Sequence, residues 1–441
     1  MVNGETSIYF NLNPHPELPH QLLLHLQVPL ESVAIMYQQA LISLKQDIHT
    51  YGFGKGETPE SYIALTYKPL LMDHLRQFFF RHCVNAMLQK GIAEYKIITL
   101  SHPQPVMTLI DPEKPAQFTF AVNTSNNPIK NEWKKLHFKA PERKNYKDLD
   151  RQVEFFLKEE DKKQKDAKTL GKNPPLITYH DWVCMGIKII DQQEKPLLNA
   201  LEQKIWIKIG EEEADRQAQE LFIGKKIGDT FVTNNDFFQD AVGDNFTTHY
   251  LFKVTILYHV SSTFFDADRF KTHFRLKSGK EMHQKIIEVF SFRHDISQRR
   301  ETIEKLFKLL FHHYPVTIDE QITKQQETIV LSRVQENPDY HVYKNKPDFK
   351  ENVKMLAEKQ IKEILFIDSI AYQENIQATE EDLINYLHLF KRARTKEFIY
   401  FDIPYTSLND QEISLCHEEI KRACQREKTL NYIIYYLTKK S

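Results

Sequence analysis

Gly52-Phe53-Gly54-Lys55-Gly56-Glu57-Thr58-Pro59 sets three glycines, one aromatic and one cation within eight residues. Glycine reaches backbone conformations closed to other residues, so the stretch reads as a tight loop. On its N-terminal side Val33, Met36, Tyr37, Ala40, Leu44 and Ile48 recur at three- and four-residue spacing, which predicts one helical face ending near His49. Pro29 heads that helix, where its missing N–H costs nothing, and Gln21 to Val28 before it reads as a strand. After Pro59 a second helical tract carries Ile63, Leu71, Leu75, Phe78, Phe79, Val84, Met87 and Leu88. Strand-like runs at Tyr95–Leu100 and Gln117–Val122 complete an α+β unit.

The loop is not a phosphate-binding P-loop, because the G-x-x-x-x-G-K-[ST] spacing is absent and no strand feeds directly into it. From spacing alone two readings stand side by side. One is an ordinary turn between helices. The other is a docking tip, in which Phe53 offers apolar area, Lys55 reaches phosphate, and Gly54 and Gly56 let the backbone approach closely.

From Lys139 to Lys172, nineteen of thirty-four positions are charged, which predicts a solvated helical connector with Val153, Phe155, Phe156 and Leu157 on an apolar side. From Asp181 to Val260 the pattern turns β-rich: Val183–Ile190, Lys204–Ile209 and Tyr250–Leu257 alternate or run apolar, punctuated by Gly210, Gly224, Gly228 and Gly243. Beyond Ser261 the spacing is helical, with a short extended stretch at Glu397–Ile403. Asn375 is placed to stop one helix, and Thr379 followed by Glu380, Glu381 and Asp382 to start the next.

At 441 residues and 41% hydrophobic content the chain can form several domains. Lys and Arg number 59 against 60 Asp and Glu, so no global field favours DNA, and any RNA contact must be local. Only 12 glycines among 27% charged residues favour helical scaffolding over glycine-rich cofactor loops, and no cofactor is expected. Met1–Glu5 lacks the order of a secretion leader and no run is long enough for a membrane helix, so the expectation is a cytoplasmic protein without a membrane partner. Cys83, Cys184, Cys416 and Cys424 form no C-x-x-C pair, and the last two read as packed thiols on one helix. His312-His313 lacks metal-ligand spacing.

The loop with its flanks resembles the G-F-R-x-G-x-x-P signature of trigger factors, with Gly54 standing where that family has arginine. Ala357 to Leu365, Ile370-Ala371 and Thr379 to Leu383 resemble the family's C-terminal domain, as does Tyr314-Pro315-Val316. Trp182-Val183, Ile187, Ile189 and Gly224-Lys225-Lys226-Ile227-Gly228-Asp229 are similar to its FKBP-type prolyl-isomerase domain. The resemblance implies an α+β multidomain chain: a ribosome-binding domain at 1–145, a charged helical linker at 146–175, an FKBP-like β-rich domain at 176–260, and a helical chaperone domain at 261–441. It implies a central body made by the C-terminal domain, with the middle domain at the far end from the tip. It also implies ribosome binding through Gly52, Phe53, Gly54, Lys55, Gly56 and Pro59, beside the exit tunnel on ribosomal protein and rRNA. Nascent or unfolded polypeptides are the implied clients, and a homodimer of free copies is compatible with it.

Isomerases of this kind need an apolar, aromatic-lined pocket that holds the twisted imide. Here Ile187 stands at the family's first-strand aromatic, and Ala214-Asp215-Arg216-Gln217-Ala218-Gln219 stands at its V-I-P-G-F-E floor. Trp206, Phe237 and Phe252 are the remaining candidate catalytic aromatics, with Phe238 beside them, and core packing explains them better than catalysis does. The leading expectation is therefore a ribosome-associated chaperone with weak or absent isomerase activity. An active isomerase and a ribosome-independent scaffold are the competing readings.

Overall fold

The computed structural model describes residues 9–14, 20–125, 129, 131–142, 147–169, 176–198, 203–239, 250–261, 265–293, 296–390, 395–403, 407–408 and 411–440. Gly243 and positions 170–175 of the expected linker lie outside them.

Strand β1 (Tyr9–Pro14) pairs with β2 (Gln21–Val28), whose Leu24, Leu26 and Val28 alternate into the core. Helix α1 (Leu30–Asp47) starts at Pro29, whose carbonyl accepts the Val33 N–H, and buries Val33, Met36, Ala40 and Leu44. The second tract is broken into α2 (Glu60–Thr66), α3 (Lys68–Phe79), a π turn (Phe80–Val84) and α4 (Asn85–Glu94). Strands β3 (Gln104–Asp111) and β4 (Lys114–Asn123) complete an antiparallel sheet in the order β1-β2-β4-β3. Tyr95–Leu100 is not the expected strand. Beyond one bridge at Thr99 it is an irregular crossing whose Ile98 and Leu100 are buried with Ile322, Ile361 and Leu365 of the helical body.

Helix α5 (Lys147–Thr169) forms the charged connector, but it is docked rather than free. Val153 and Phe156 pack with Phe265, Phe270 and Phe290, and the buried Glu160 carboxylate accepts the Phe265 N–H at 2.6 Å.

The middle region builds a second sheet from β5 (Trp182–Ile190), β6 (Gln203–Lys208), β7 (Thr230–Thr233) and β8 (Leu251–Val260), with α6 (Arg216–Phe222) and α7 (Asp236–Gln239) between strands. Period-two alternation divides it into two buried faces. Val183, Met185, Ile187, Ile205, Ile207, Phe252 and Val254 share a core with the N-terminal helices, whereas Trp182, Cys184 and Trp206 share one with the C-terminal helices.

Helices α8 (Ala267–Phe274) and α9 (Gly279–Phe290) follow, then a two-residue ribbon of β9 (Phe292–Arg293) and β10 (Ile296–Ser297). The body continues through α10 (Gln298–His313), α11 (Glu320–Gln335), α12 (Tyr340–Tyr343), α13 (Phe349–Gln373) and α14 (Glu380–Phe390). Asn375 takes the left-handed φ of 51° that ends α13. Thr379 and Asp382 cap α14 reciprocally: the Thr379 hydroxyl accepts the Asp382 N–H, and the Asp382 carboxylate accepts the Thr379 N–H.

Glu397–Ile403 is not extended as expected; a 3-10 turn (Thr395–Phe398) occupies its start. Short strands β11 (Ser407–Leu408), β12 (Gln411–Glu412) and β13 (Leu415–Cys416) precede α15 (His417–Lys440), so Cys416 and Cys424 do not share a helix. β13 pairs with β6, giving the middle sheet the order β13-β6-β5-β8-β7. At the centre of the body the Arg299 guanidinium, fully buried, donates to Glu427 at 2.9 Å, to Asn431 at 2.5 Å and to the Phe398 carbonyl at 3.1 Å.

Candidate functional site

The loop from Thr50 to Pro59 is shaped by its own residues. The Phe53 N–H donates to the Thr50 carbonyl at 3.1 Å and the Glu57 N–H to the Gly54 carbonyl at 3.0 Å, making two successive turns. Gly52 at φ 89° and Gly56 at φ 79° occupy conformations that an L side chain strains to reach. Beneath them Thr58, fully buried, donates its hydroxyl to that of Thr50 at 3.2 Å and ties the loop's two ends together. Above them Tyr51, Phe53 and Lys55 are exposed, as are Tyr62 and Leu65 on α2, and the Phe53 ring lies 5.7 Å from that of Tyr62. The loop thus presents an apolar surface with one cation at its apex. The three nearest atoms to a Cβ at Gly54 all belong to the Glu57 side chain, whose carboxylate would stand 2.6 Å away, so no backbone atom beyond the glycine and its chain neighbours comes closer than 3.5 Å.

The middle sheet's candidate aromatics are not all brought together: Phe237, Phe238 and Phe252 cluster, and Trp206 stands apart. Phe238 lies between Phe237 and Phe252, with ring centroids 4.8 and 5.5 Å away. Trp206 points to the opposite face, where its Nε1 donates to His417 Nδ1 at 3.0 Å and its ring stacks on Tyr258. Strand pleating keeps Trp206 out of any pocket that Phe252 could line.

The face carrying Phe252 is covered by the N-terminal helices. The Tyr250 hydroxyl lies 2.7 Å from His74 Nε2, and its ring lies 5.1 Å from Phe78. Gln203 donates its Nε2 to the Arg81 carbonyl at 2.9 Å, which leaves its Oε1 to accept from His82 Nδ1 at 2.9 Å. Burial drives both histidines toward the neutral form: His74 is pushed down to about 3, helped by His82, and His82 to about 4, helped by Arg81. Between the π turn and the sheet remains a cleft of about 380 Å³ that includes Phe80, Arg81, His82, Ile187, Gln203 and Phe238.

The segment at the floor position is polar and locally engaged. Ala218, at the aromatic's place, is buried, while the Asp215 carboxylate accepts the Glu412 N–H at 2.8 Å and Arg216 pairs with Glu213 and Glu220. The middle sheet therefore lies directly against the unit that bears the loop, not at its far end as expected.

His313 Nδ1 lies 3.0 Å from the Leu309 carbonyl on an exposed helix end, and no group of side chains suited to a metal ion occurs among the described residues. All four cysteines are free and buried, and no helix among the described residues is long and apolar enough to cross a membrane.

A family model described as bacterial trigger factor protein matches residues 15–156, and one described as bacterial trigger factor protein C-terminus matches residues 280–395. Together they take in more than half of the chain. The chain belongs to the trigger factor family. Trigger factors are ribosome-associated chaperones, and both the loop and helices α10 to α14 of the body fall within the matched segments. A solved structure, described for promiscuous substrate recognition in folding and assembly by the trigger factor chaperone, aligns over 96% of this chain and 99% of its own, at 14% identity and a TM-score of 0.35. No curated protein matches. Against the trigger factor signature the loop keeps both flanking glycines, the phenylalanine and the proline, and lacks the arginine.

The sequence did not reveal the coverage of the middle sheet by α3 and the π turn. His74 and His82 follow the helical spacing of Phe78 and carried no signal of their own.

Proposed function

We propose that this trigger factor docks on the ribosome through Gly52, Phe53, Gly54, Lys55, Gly56 and Pro59, on ribosomal protein and rRNA beside the exit tunnel. There it holds nascent chains in the cytoplasm without catalysing prolyl isomerisation. The observation that carries the docking is the loop itself, in which two glycines at positive φ lift an exposed Phe53 and Lys55 above the buried Thr50–Thr58 tie. Apolar area supplies the affinity and Lys55 a phosphate contact, while Gly54 removes the bidentate contact an arginine would add. The division into 1–145, 146–175, 176–260 and 261–441 is proposed as functional, with β13 lending an edge strand to the third part.

A silent isomerase is supported by Trp206 facing away from Phe252 and by α3 lying over the Phe252 face. Ribosome co-sedimentation tests the docking. Wild type should pellet with ribosomes and the double variant Phe53→Ala/Lys55→Ala should stay in the supernatant; equal pelleting would move docking elsewhere. A proline-peptide assay of the full chain should give no turnover above the uncatalysed rate.

A further inference from the structure

The N-terminal unit, the middle sheet and the helical body meet in all three possible pairs. The first two share a core in which the Phe78 ring lies 5.1 Å from Tyr250 and the His82 ring 5.9 Å from Phe252. The opposite face of the sheet shares one with α14 and α15, where Trp182 and Trp206 are buried with Leu383, Tyr386, Ile420 and Cys424. The third side is closed by Ile98 and Leu100, buried with Ile322, Ile361 and Leu365 of the body. There the Tyr372 hydroxyl also donates to the Ile97 carbonyl at 3.2 Å. Two parts that share a single interface can hinge about it. In a closed ring of three, moving any one part breaks two interfaces at once.

Strand β6, six residues long, is tied to both other parts. At its start the Gln203 side chain spans the π turn, donating Nε2 to the Arg81 carbonyl and turning Oε1 to His82 Nδ1, each at 2.9 Å. In its middle Ile205 and Trp206 pair with Cys416 and Leu415 of β13. Trp206 Nε1 donates to His417 Nδ1 at 3.0 Å, which leaves His417 Nε2 to donate to Glu380, 3.2 Å away at the head of α14. At its end Lys208 donates to Glu412 at 2.5 Å. One short strand thus carries hydrogen bonds to α-helical neighbours on both sides of the sheet.

We propose that the middle sheet works as a brace: through β6 it locks the unit bearing the loop at 50–59 to the helical body, so that the three parts move as one rigid piece. The scaffold that resembles an isomerase then has a mechanical task, which is to fix where the loop stands relative to the body. The brace rests on the docking reading only for the use made of that fixed geometry.

Two measurements on the full chain test it. All four native cysteines are buried, so spin labels can be directed to Tyr51→Cys and Tyr435→Cys, both at exposed positions. Pulsed-EPR distances between them should form a single narrow distribution. Gln203→Ala with Trp206→Phe keeps a ring in the core but removes the side-chain links from β6 to both partners, and should broaden it. Hydrogen exchange on the wild-type chain decides the matter if that variant does not fold. Amides of α3, β5, β8 and α15 should open in one step, with protection within about tenfold of one another.

A broad distance distribution in the otherwise wild-type chain would overturn the brace. So would a double variant as narrow as its parent, or sheet amides that exchange more than about tenfold faster than those of α3 and α15. Neither measurement involves ribosomes, so a failure of ribosome pelleting would remove the docking reading and leave the brace standing.

Discussion

The loop at 50–59 and the Phe252 face of the middle sheet both resemble a family site, yet they are built in opposite ways. Everything that shapes the loop lies within it: two turn hydrogen bonds, two glycines at positive φ and the Thr50–Thr58 tie. The sheet face is shaped from afar. His74 meets Tyr250 across 176 positions, Gln203 meets Arg81 across 122, and β13 joins β6 from near the chain's end. A locally built motif keeps its geometry when its neighbours diverge. A pocket belongs to whatever packs against it, and here the N-terminal helices do.

Phenylalanines in the two places should therefore answer truncation differently. Phe252 is fully buried among aromatic rings, and Phe252→Ala should cost about 3–5 kcal/mol in denaturant unfolding. Phe53 is 40% exposed, and Phe53→Ala should stay within about 0.5 kcal/mol while abolishing ribosome pelleting together with Lys55→Ala. Similar unfolding costs at both positions would break the comparison.

Acid should act on the sheet face and spare the loop. Above pH 6.5, the ordinary histidine value, His74 and His82 are neutral whether the chain is folded or not. As pH falls below that, only the unfolded chain takes up their protons. Stability then drops by about 1.4 kcal/mol per pH unit for each histidine, until pH reaches about 4 for His82 and about 3 for His74. Unfolding measured at successive pH values should show that slope, and His82→Gln should flatten it.

The same division governs what was legible in the sequence. β2, β5, β6, β8 and the capping of α14 follow from alternation and spacing within a few residues, and they form as read. β3 was not legible because most of its side chains are exposed, so no apolar alternation marks it and its pairing with β4 alone makes it a strand. Tyr95–Leu100 misled for the converse reason. Its apolar residues are buried, but against helices α11 and α13 rather than in a sheet. At the site, the loop's shape could be read from its glycines. The separation of Trp206 from Phe252 required the strand register, and the covering of the sheet by α3 required the whole fold.

A milder probe of the covered face is Tyr250→Phe, which removes only the hydroxyl facing His74. Losing one buried hydrogen bond should cost about 1–2 kcal/mol by denaturant unfolding. A neutral result would mean that the ring packing of Tyr250 on Phe78 holds the two regions together without help from the polar contact.

The smallest effect on stability, and the most informative one on function, is expected from Gly54→Arg. Gly54 is not held at positive φ, unlike Gly52 and Gly56, so the backbone accepts a side chain there. The one nearby obstacle is the Glu57 carboxylate, the far end of a flexible chain and a natural partner for a guanidinium. Unfolding should move by less than about 0.5 kcal/mol, as for an ordinary surface change. Ribosome affinity should rise several-fold in pelleting titrations, and the gain should shrink at high salt, because a guanidinium at phosphate displaces counterions. If affinity does not change, the docking strength of the loop lies in Phe53 and its apolar neighbours, and the missing arginine has cost this chain nothing.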